Sequence, residues 1–328
     1  MTRSALEPAA PGGRLDVLAV GMAGVDILIG PADALPPPNG MRMMREMKFS
    51  TGGVASTYAR DAARLGMSAA LATGIGGDLF GELLSAEHAK DGVDLTFSLR
   101  SGGLPTAGTV VLIDSAGERS FLHRRGAADR LIDPARIDGR LFRHVHIGGQ
   151  PLVPEYGGEA GAAFLRRMRE EGATTSMDTV FSALDDWAPA RALLPELDVA
   201  LPSYEEAVPL CEGERDPLRQ LQYMLARGAA AAAVKLGAEG AVFAARGEAP
   251  FQIRPTPVRT VDATGAGEAF CAGFTYGWLA GWELERSARL AVACGALATQ
   301  ELGGPDALRP VADVFAWAET AGFSAQRV

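Results

Sequence analysis

Residues 260–274 read TVDATGAGEAFCAGF. Gly265, Ala266 and Gly267 are small, and an apolar helical run follows them. Small residues there expose successive backbone N–H groups at a helix N-terminus, where the helix dipole also favours negative charge. The physical product is a cradle for a phosphate or another oxyanion, with the carboxylate of Glu268 in the first turn. The plainer reading is a helix cap. Asp262 and Thr264 are good N-cap types, and glutamate is common in a first turn.

Upstream of this stretch the pattern alternates strands and helices. The run LDVLAVGM from Leu15 to Met22 is nearly all apolar, as a strand buried in a parallel sheet should be. Strands also fit at Ser68–Thr73, HVHIG, TTSMD, VALP and AAAVKLG, and helices at 158–171, 184–194, 204–211 and 216–227. Such alternation implies right-handed βαβ units and a parallel sheet covered on both faces. In STGGVASTYARDAARLG a glycine pair leads into a helix, with Ala55, Ala59, Ala62, Ala63 and Leu65 at helical spacing and Gly66 placed to end it. A loop over GIGGDLFG precedes a helix from Glu82 to Asp91, and the portions 265–301 and 307–321 read as mostly helical. Two segments differ. Residues 41–49 partly alternate, and TAGTVVLIDSAGERSFLHR (106–124) reads as a hairpin turning at Asp114–Glu118. Together they predict a small sheet apart from the main one. The fold expected is one large doubly wound α/β unit, a mostly parallel sheet flanked by helices, over 15–31, 51–100 and 127–328. A small β lid occupies 32–50 and 101–126, and a loose tail 1–14.

Composition narrows the function classes. The 328 residues are 48% hydrophobic and 22% charged, ordinary globular values that allow a sizeable core. Forty glycines exceed the usual share of about 7% without a G-X-Y period, which suggests tight turns and close backbone approaches. With 31 basic against 40 acidic residues the net charge is −9. That balance argues against a nucleic-acid partner or an anionic membrane surface, but not against a small anion held by backbone amides. Cys211, Cys271 and Cys294 lie far apart and form no C-x-x-C pair, so a reducing cytoplasm is expected. Residues 1–13 lack the apolar segment of a signal peptide, and the apolar run 269–282 is too short to span a bilayer.

The stretch VDATGAGEAFCAGF resembles the C-terminal signature of the ribokinase-like (phosphofructokinase-B type) carbohydrate kinases, D-T-x-G-A-G-D-x-F. The resemblance continues in family order over roughly residues 15–305. GMAGVDILI (21–29) is similar to the family's first strand and its substrate-binding Asp. TGGVASTYARDAARLG (51–66) resembles G-G-x-x-x-N-x-A-x-x-x-A-x-L-G, and GIGGDLFGE (74–82) resembles G-x-x-G-x-D-x-x-G. GERSFLHRRGA (117–127) resembles the second lid strand, LPSYEEA (201–207) the P-N-x-x-E-A segment, and KLGAEGAVF (235–243) the turn beside the nucleotide. The resemblance implies transfer of the γ-phosphate of ATP to a hydroxyl of a sugar, sugar derivative or sugar acid. Gly265, Ala266 and Gly267 would form the anion hole and Glu268 would take the acceptor's proton. Asp26, Gly52, Gly53 and Thr57 would meet the acceptor, and Lys235, Gly237, Gly240 and Ser203 would lie along the nucleotide. Glu206 would order Mg²⁺ through water, and Asp262 with the Thr264 carbonyl would lie near a monovalent-cation (K⁺) site, as in several family members. Positioning, charge neutralisation and water exclusion are what phosphoryl transfer needs. A homodimer through the exposed lid sheet is also implied.

Three positions depart from the family pattern. Glu268 stands where the family has Asp, one methylene longer, so either the pocket is set back to suit it or turnover is weak. Thr57 replaces an Asn and lacks its amide donor. Ser203 replaces a second Asn. Of the smaller signals, His144 and His146 face one way on a strand, but without carboxylates or cysteines at ligand spacing they read as a packed pair. Arg119, Arg124 and Arg125 form either a charged lid edge that deters strand addition or a contact to an anionic acceptor. Trp278, Trp282 and Tyr276 read as helix packing. Two alternatives stay open: a nucleoside kinase of the same family, with Phe49 and Tyr58 as the aromatic candidates, and a sugar or nucleotide sensor that turns over poorly. A dehydrogenase is disfavoured because no G-x-G-x-x-G follows the first strand.

Overall fold

The strand β1 (Leu15–Gly21) is buried along almost its whole length, and successive residues feed two different cores. Val17 and Ala19 join one core, Leu18 and Val20 the other. This computed structural model describes residues 13–116, 118–181, 186–255, 258–300 and 308–327. The tail expected over 1–14 therefore lies almost wholly outside the described residues.

In chain order the strands after β1 are β2 (Gly24–Gly30), β3 (Glu46–Gly52), β4 (Ala69–Ala72), β5 (Gly74–Gly76), β6 (Leu99–Ser101), β7 (Ala107–Ile113) and β8 (Arg119–Arg124). They continue as β9 (Phe142–Gly148), β10 (Thr174–Met177), β11 (Val199–Ala200), β12 (Ala231–Lys235), β13 (Ala241–Ala245), β14 (Phe251–Pro255) and β15 (Phe323–Arg327). The helices are α1 (Val54–Arg64), α2 (Leu79–Lys90), α3 (Gly158–Glu170), α4 (Ala188–Arg191), α5 (Tyr204–Leu210), α6 (Pro217–Ala226), α7 (Ala266–Leu279), α8 (Leu284–Ala298) and α9 (Val311–Ala321).

Among the described residues nine strands form one sheet in the order β15-β14-β13-β12-β11-β10-β9-β1-β4. Every pairing from β4 across to β12 is parallel, and those from β12 out to β15 are antiparallel. Helices α1, α7 and α8 cover one face, with Phe243, Phe270 and Phe274 packed between helix and sheet. Helices α3, α5 and α6 cover the other. This is the doubly wound, mostly parallel arrangement that the alternation predicts, and it brings the ends of β1, β9, β10 and β12 to one edge, where ligands bind in open α/β sheets.

The separate small sheet has the order β3-β2-β7-β8. It corrects the assignment of residues 24–30. The sequence reading places a strand at Leu15–Met22 and leaves the whole stretch 15–31 in the large unit. Instead the chain leaves the main sheet at Met22–Ala23 and enters the small one, where β2 pairs antiparallel with β3 and parallel with β7. A stretch of that length exceeds an ordinary strand of about 5–6 residues, so it divides between two sheets. Strand β3 also begins later than expected, at Glu46, and runs into Gly52. Helix α2 begins inside the expected loop, because the Asp78 carboxylate accepts the Gly81 N–H at 3.0 Å and caps it. Of the helix expected at 184–194, residues 182–185 lie outside the described set and only Ala188–Arg191 is α-helical.

Candidate active site

Helix α7 starts at Ala266, with Gly265 as its N-cap at φ 80°. That left-handed backbone favours glycine, and it turns the chain sharply into the helix, with the Ala266 N–H donating back to Ala263 O at 3.4 Å. The loop before it is tied back to the end of α8, since the Val261 and Asp262 N–H groups both donate to Thr299 O, at 2.8 and 3.1 Å. Gly267 is bare for a reason visible in the packing: a methyl group added there would lie 3.3 Å from Lys235 Nζ. An ammonium therefore lies beside the amide turn, paired there with a buried carboxylate.

Lys235 ends β12. Its Nζ donates to Asp178 Oδ1 at 2.7 Å and contacts Cys271 Sγ at 3.8 Å. Burial pulls the ammonium down, but Asp178, the Cys271 thiol and Glu206 together more than offset this and keep it charged. Asp178 follows β10 and is nearly buried, and its Oδ1 also accepts the Thr179 N–H at 2.8 Å. Ser203 lies against Lys235 in a parallel bridge, and the Lys235 N–H donates to Pro202 O at 3.0 Å. Ser203 and Glu206 form a reciprocal cap on α5, in which Glu206 Oε2 accepts the Ser203 N–H at 3.0 Å and the Thr179 hydroxyl at 2.9 Å. Burial pushes the Glu206 carboxyl up, and Asp178 adds to the rise.

Glu268 sits in the first turn of α7, partly exposed. Burial pushes its carboxyl up to about 7, Asp178 adds to the rise, and Lys235 and the residue's own backbone N–H hold it back. Such a group exchanges protons near neutrality, as a general base must. One further acid lies within its electrostatic reach. Asp61 of α1 is fully buried with neither carboxyl oxygen bonded among the described residues, and burial, followed by the charge of Glu268, pushes its carboxyl well up.

In the small sheet the structure brings Asp26 against Gly52. A methyl at Gly52 would fall 2.1 Å from Asp26 Oδ2, so any larger residue there would displace that carboxylate from its present position. Gly53 is the N-cap of α1, and Thr57 is buried in its first turns with its N–H on Gly53 O at 2.9 Å. Asp26 lies mid-strand in β2, in one register row with Ser50, Thr109 and His123. Leu28 and Val111, on the same face, are 8% and 5% exposed, so this is the face turned to the body. Burial raises the Asp26 carboxyl, against a bond from Thr109 and the charge of His123. Gly237 and Gly240 form the turn after Lys235, at φ 58° and 81°.

Asp262 and Thr264, the residues offered to a monovalent cation, are held by a side chain. Arg119 of β8 donates to the Asp262 carboxylate and to the Thr264 hydroxyl. Of the other lid arginines, Arg124 donates to Thr106 O at 3.1 Å and Arg125 to Leu152 O at 2.7 Å. His144 and His146 are fully buried and share Ser176 Oγ, at 2.7 and 2.8 Å, and His146 stacks on Tyr58 at 3.9 Å, so they are a packed pair. Tyr58 is thereby a core residue, bonded to Thr275 at 3.0 Å. No group of three or more metal-ligating side chains occurs among the described residues. Sequence reasoning missed Asp178 and His123. Asp178 ends a parallel strand at the ligand edge, and that position alone is the signal that could have singled it out.

The sequence model of the pfkB family carbohydrate kinases matches residues 15–309. An ATP-dependent ribose-1-phosphate kinase of Halopiger xanaduensis is 32% identical over 307 residues, covering 92% of this chain and 96% of that protein. The structure of Arabidopsis thaliana ribokinase complexed with ribose and ATP superposes with a TM-score of 0.81 at 23% identity, over 93% of this chain and 99% of that one. A putative ribokinase II from E. coli in complex with ATP and Mg²⁺ gives 0.79 at 22% identity, over 93% and 99%. The chain belongs to the pfkB family of carbohydrate kinases.

Proposed function

We propose that this kinase moves the γ-phosphate of ATP onto a hydroxyl of a sugar, sugar derivative or sugar acid, with Glu268 as general base. The observation that carries the reading is the meeting of three features at one point: the α7 amide turn at Gly265–Gly267, the Lys235 ammonium facing it, and the Glu268 carboxylate with a proton affinity near neutrality. The amides and Lys235 stabilise charge on the travelling phosphoryl group, and Glu268 accepts the proton that the attacking hydroxyl loses. Asp26, on the inner face of the small sheet against Gly52, binds acceptor hydroxyls, and Gly53 and Thr57 complete that side. Gly237 and Gly240 let the backbone run beside the nucleotide. Mg²⁺ arriving with ATP would neutralise phosphate charge, and the fit is to a water-mediated contact: Glu206 and Asp178 supply two carboxylates, too few for a cage of protein ligands but enough for an ion that keeps its waters.

The segments 32–50 and 101–126, with β2 added, act as a lid over the acceptor and limit wasteful hydrolysis of ATP. The outward face of that sheet leaves Met47, Phe49 and Leu122 61%, 52% and 60% exposed in one apolar area, which fits a homodimer through the lid. A cytoplasmic setting suits an ATP-dependent enzyme whose three cysteines are free. No helix among the described residues is long and apolar enough to cross a membrane.

The test is ATP-dependent phosphorylation across a panel of sugars, sugar acids and nucleosides, with kcat/KM measured against pH for the acceptor that reacts. Because the free enzyme's Glu268 must be ionised to accept a proton, kcat/KM should rise with slope one on the acid side and level off above about 7. A plateau extending unchanged down to about pH 5, near the ordinary carboxylate range, would remove Glu268 from the role. If no acceptor reacts while ATP and a sugar still raise the melting temperature, the sensor reading takes over.

A further inference from the structure

The carboxylate of Asp262 is 1% exposed, and its Oδ1 accepts the Thr264 N–H at 2.8 Å. A buried carboxylate at the entrance of an anion cradle requires a cation beside it, or it repels the phosphate the cradle is built to hold. The cation present belongs to the chain itself. Arg119 opens β8, 143 residues before Asp262, and its two terminal nitrogens reach the Asp262 carboxylate and the Thr264 hydroxyl. Arg119 lies on β8, the edge strand of the small sheet, with its guanidinium turned to this loop. We propose that Arg119 is a tethered cation that fixes the loop before Gly265 and takes the place of a free monovalent ion, so that this kinase works without potassium.

Three properties of the guanidinium suit it to that role. It stays charged at every working pH, and its planar fork binds carboxylate and hydroxyl in a fixed geometry. A second cation drawn to the same carboxylate would be repelled by it. Its place on the small sheet also sets the cation in position only while that sheet lies against the loop. Arg119 thus acts on the phosphate indirectly, as a positioning residue, and the inference rests on reading this loop as the phosphate cradle.

The experiment replaces KCl by tetramethylammonium chloride at constant ionic strength and follows melting temperature, ATP affinity by calorimetry, and rate. For the natural chain ATP affinity and rate should stay unchanged within about twofold, below an ordinary coupling between two sites, and the melting temperature should not move. Arg119→Met should lose on the order of a hundredfold in kcat/KM without potassium, the cost of a loop displaced by about 1 Å. KCl should restore at least about tenfold of that, tighten ATP binding and raise the melting temperature of this variant only. Arg119→Lys keeps a tethered charge and should remain insensitive to the salt. A natural chain whose ATP affinity climbs severalfold with KCl would overturn the proposal, as would an Arg119→Met variant indistinguishable from it. Melting and ATP binding need no acceptor, so a chain that phosphorylates nothing would sink the kinase reading while these two still decide the cation.

Discussion

Glu268→Gln is expected to lower kcat by about a thousandfold, in the middle of the range for removing a general base, with ATP binding retained. Glutamine has the size of glutamate and keeps a place in the first turn of α7, but its amide cannot take a proton at any accessible pH. The amide turn and Lys235 are untouched, so the charge stabilisation they supply survives as residual turnover. Two subsidiary results sharpen the test. The rise of kcat/KM through about 7 should vanish in Glu268→Gln, since the titrating group is gone. Glu268→Asp should fall between the two, because this cleft holds a side chain one methylene longer and the shorter carboxylate stands back from the hydroxyl by about 1 Å, a distance worth on the order of a hundredfold. Turnover of Glu268→Gln within about tenfold of the natural chain, far short of a lost general base, would mean that the proton leaves by another route.

Lys235→Met should reduce kcat by at least about a hundredfold, comparable to the loss of one preorganised donor from an oxyanion site, and should also destabilise the fold. The second effect follows from the pair it breaks. Lys235 and Asp178 are bonded at 2.7 Å with side chains 13% and 3% exposed, and removing one partner of a buried pair costs about 3 kcal/mol or more. The two effects can be separated. In the double variant Lys235→Met with Asp178→Asn the stranded charge is removed, so most of the stability measured by urea unfolding should return, whereas the catalytic loss should remain. A double variant that regained activity along with stability would reduce Lys235 to a structural residue.

Much of this was written in the sequence. The run of β1, the capped helix after Gly53 and the small residues at 265–267 are local signals, in which the residue type and the backbone it adopts are read at the same place. The partner of each side chain is not local. Arg119 carries a charge suited to a sheet edge, and nothing in RSFLHR says that it reaches Asp262; only the fold sets the two together. Asp26 is a similar case, since the stretch from Leu15 to Ile29 is apolar apart from Asp16 and Asp26 and gives no sign that it is cut at Met22–Ala23 and shared between two sheets. Asp178 had no glycine or repeated spacing to mark it, and its importance comes from Lys235, 57 residues later. The elevated proton affinity of Glu268 is likewise a property of its surroundings: burial and Asp178 raise it, and neither is visible from a glutamate in a helix's first turn.

The central claim is spatial, and a crystal structure with ADP, Mg²⁺, an aluminium fluoride mimic of the moving phosphoryl group and the reacting acceptor tests it most directly. The mimic should lie against the first amides of α7 and Lys235 Nζ, with the acceptor oxygen within about 3.2 Å of a Glu268 oxygen, as a base in hydrogen-bond reach requires. A mimic bound away from Gly265–Gly267, or an acceptor hydroxyl facing a different residue, would contradict it.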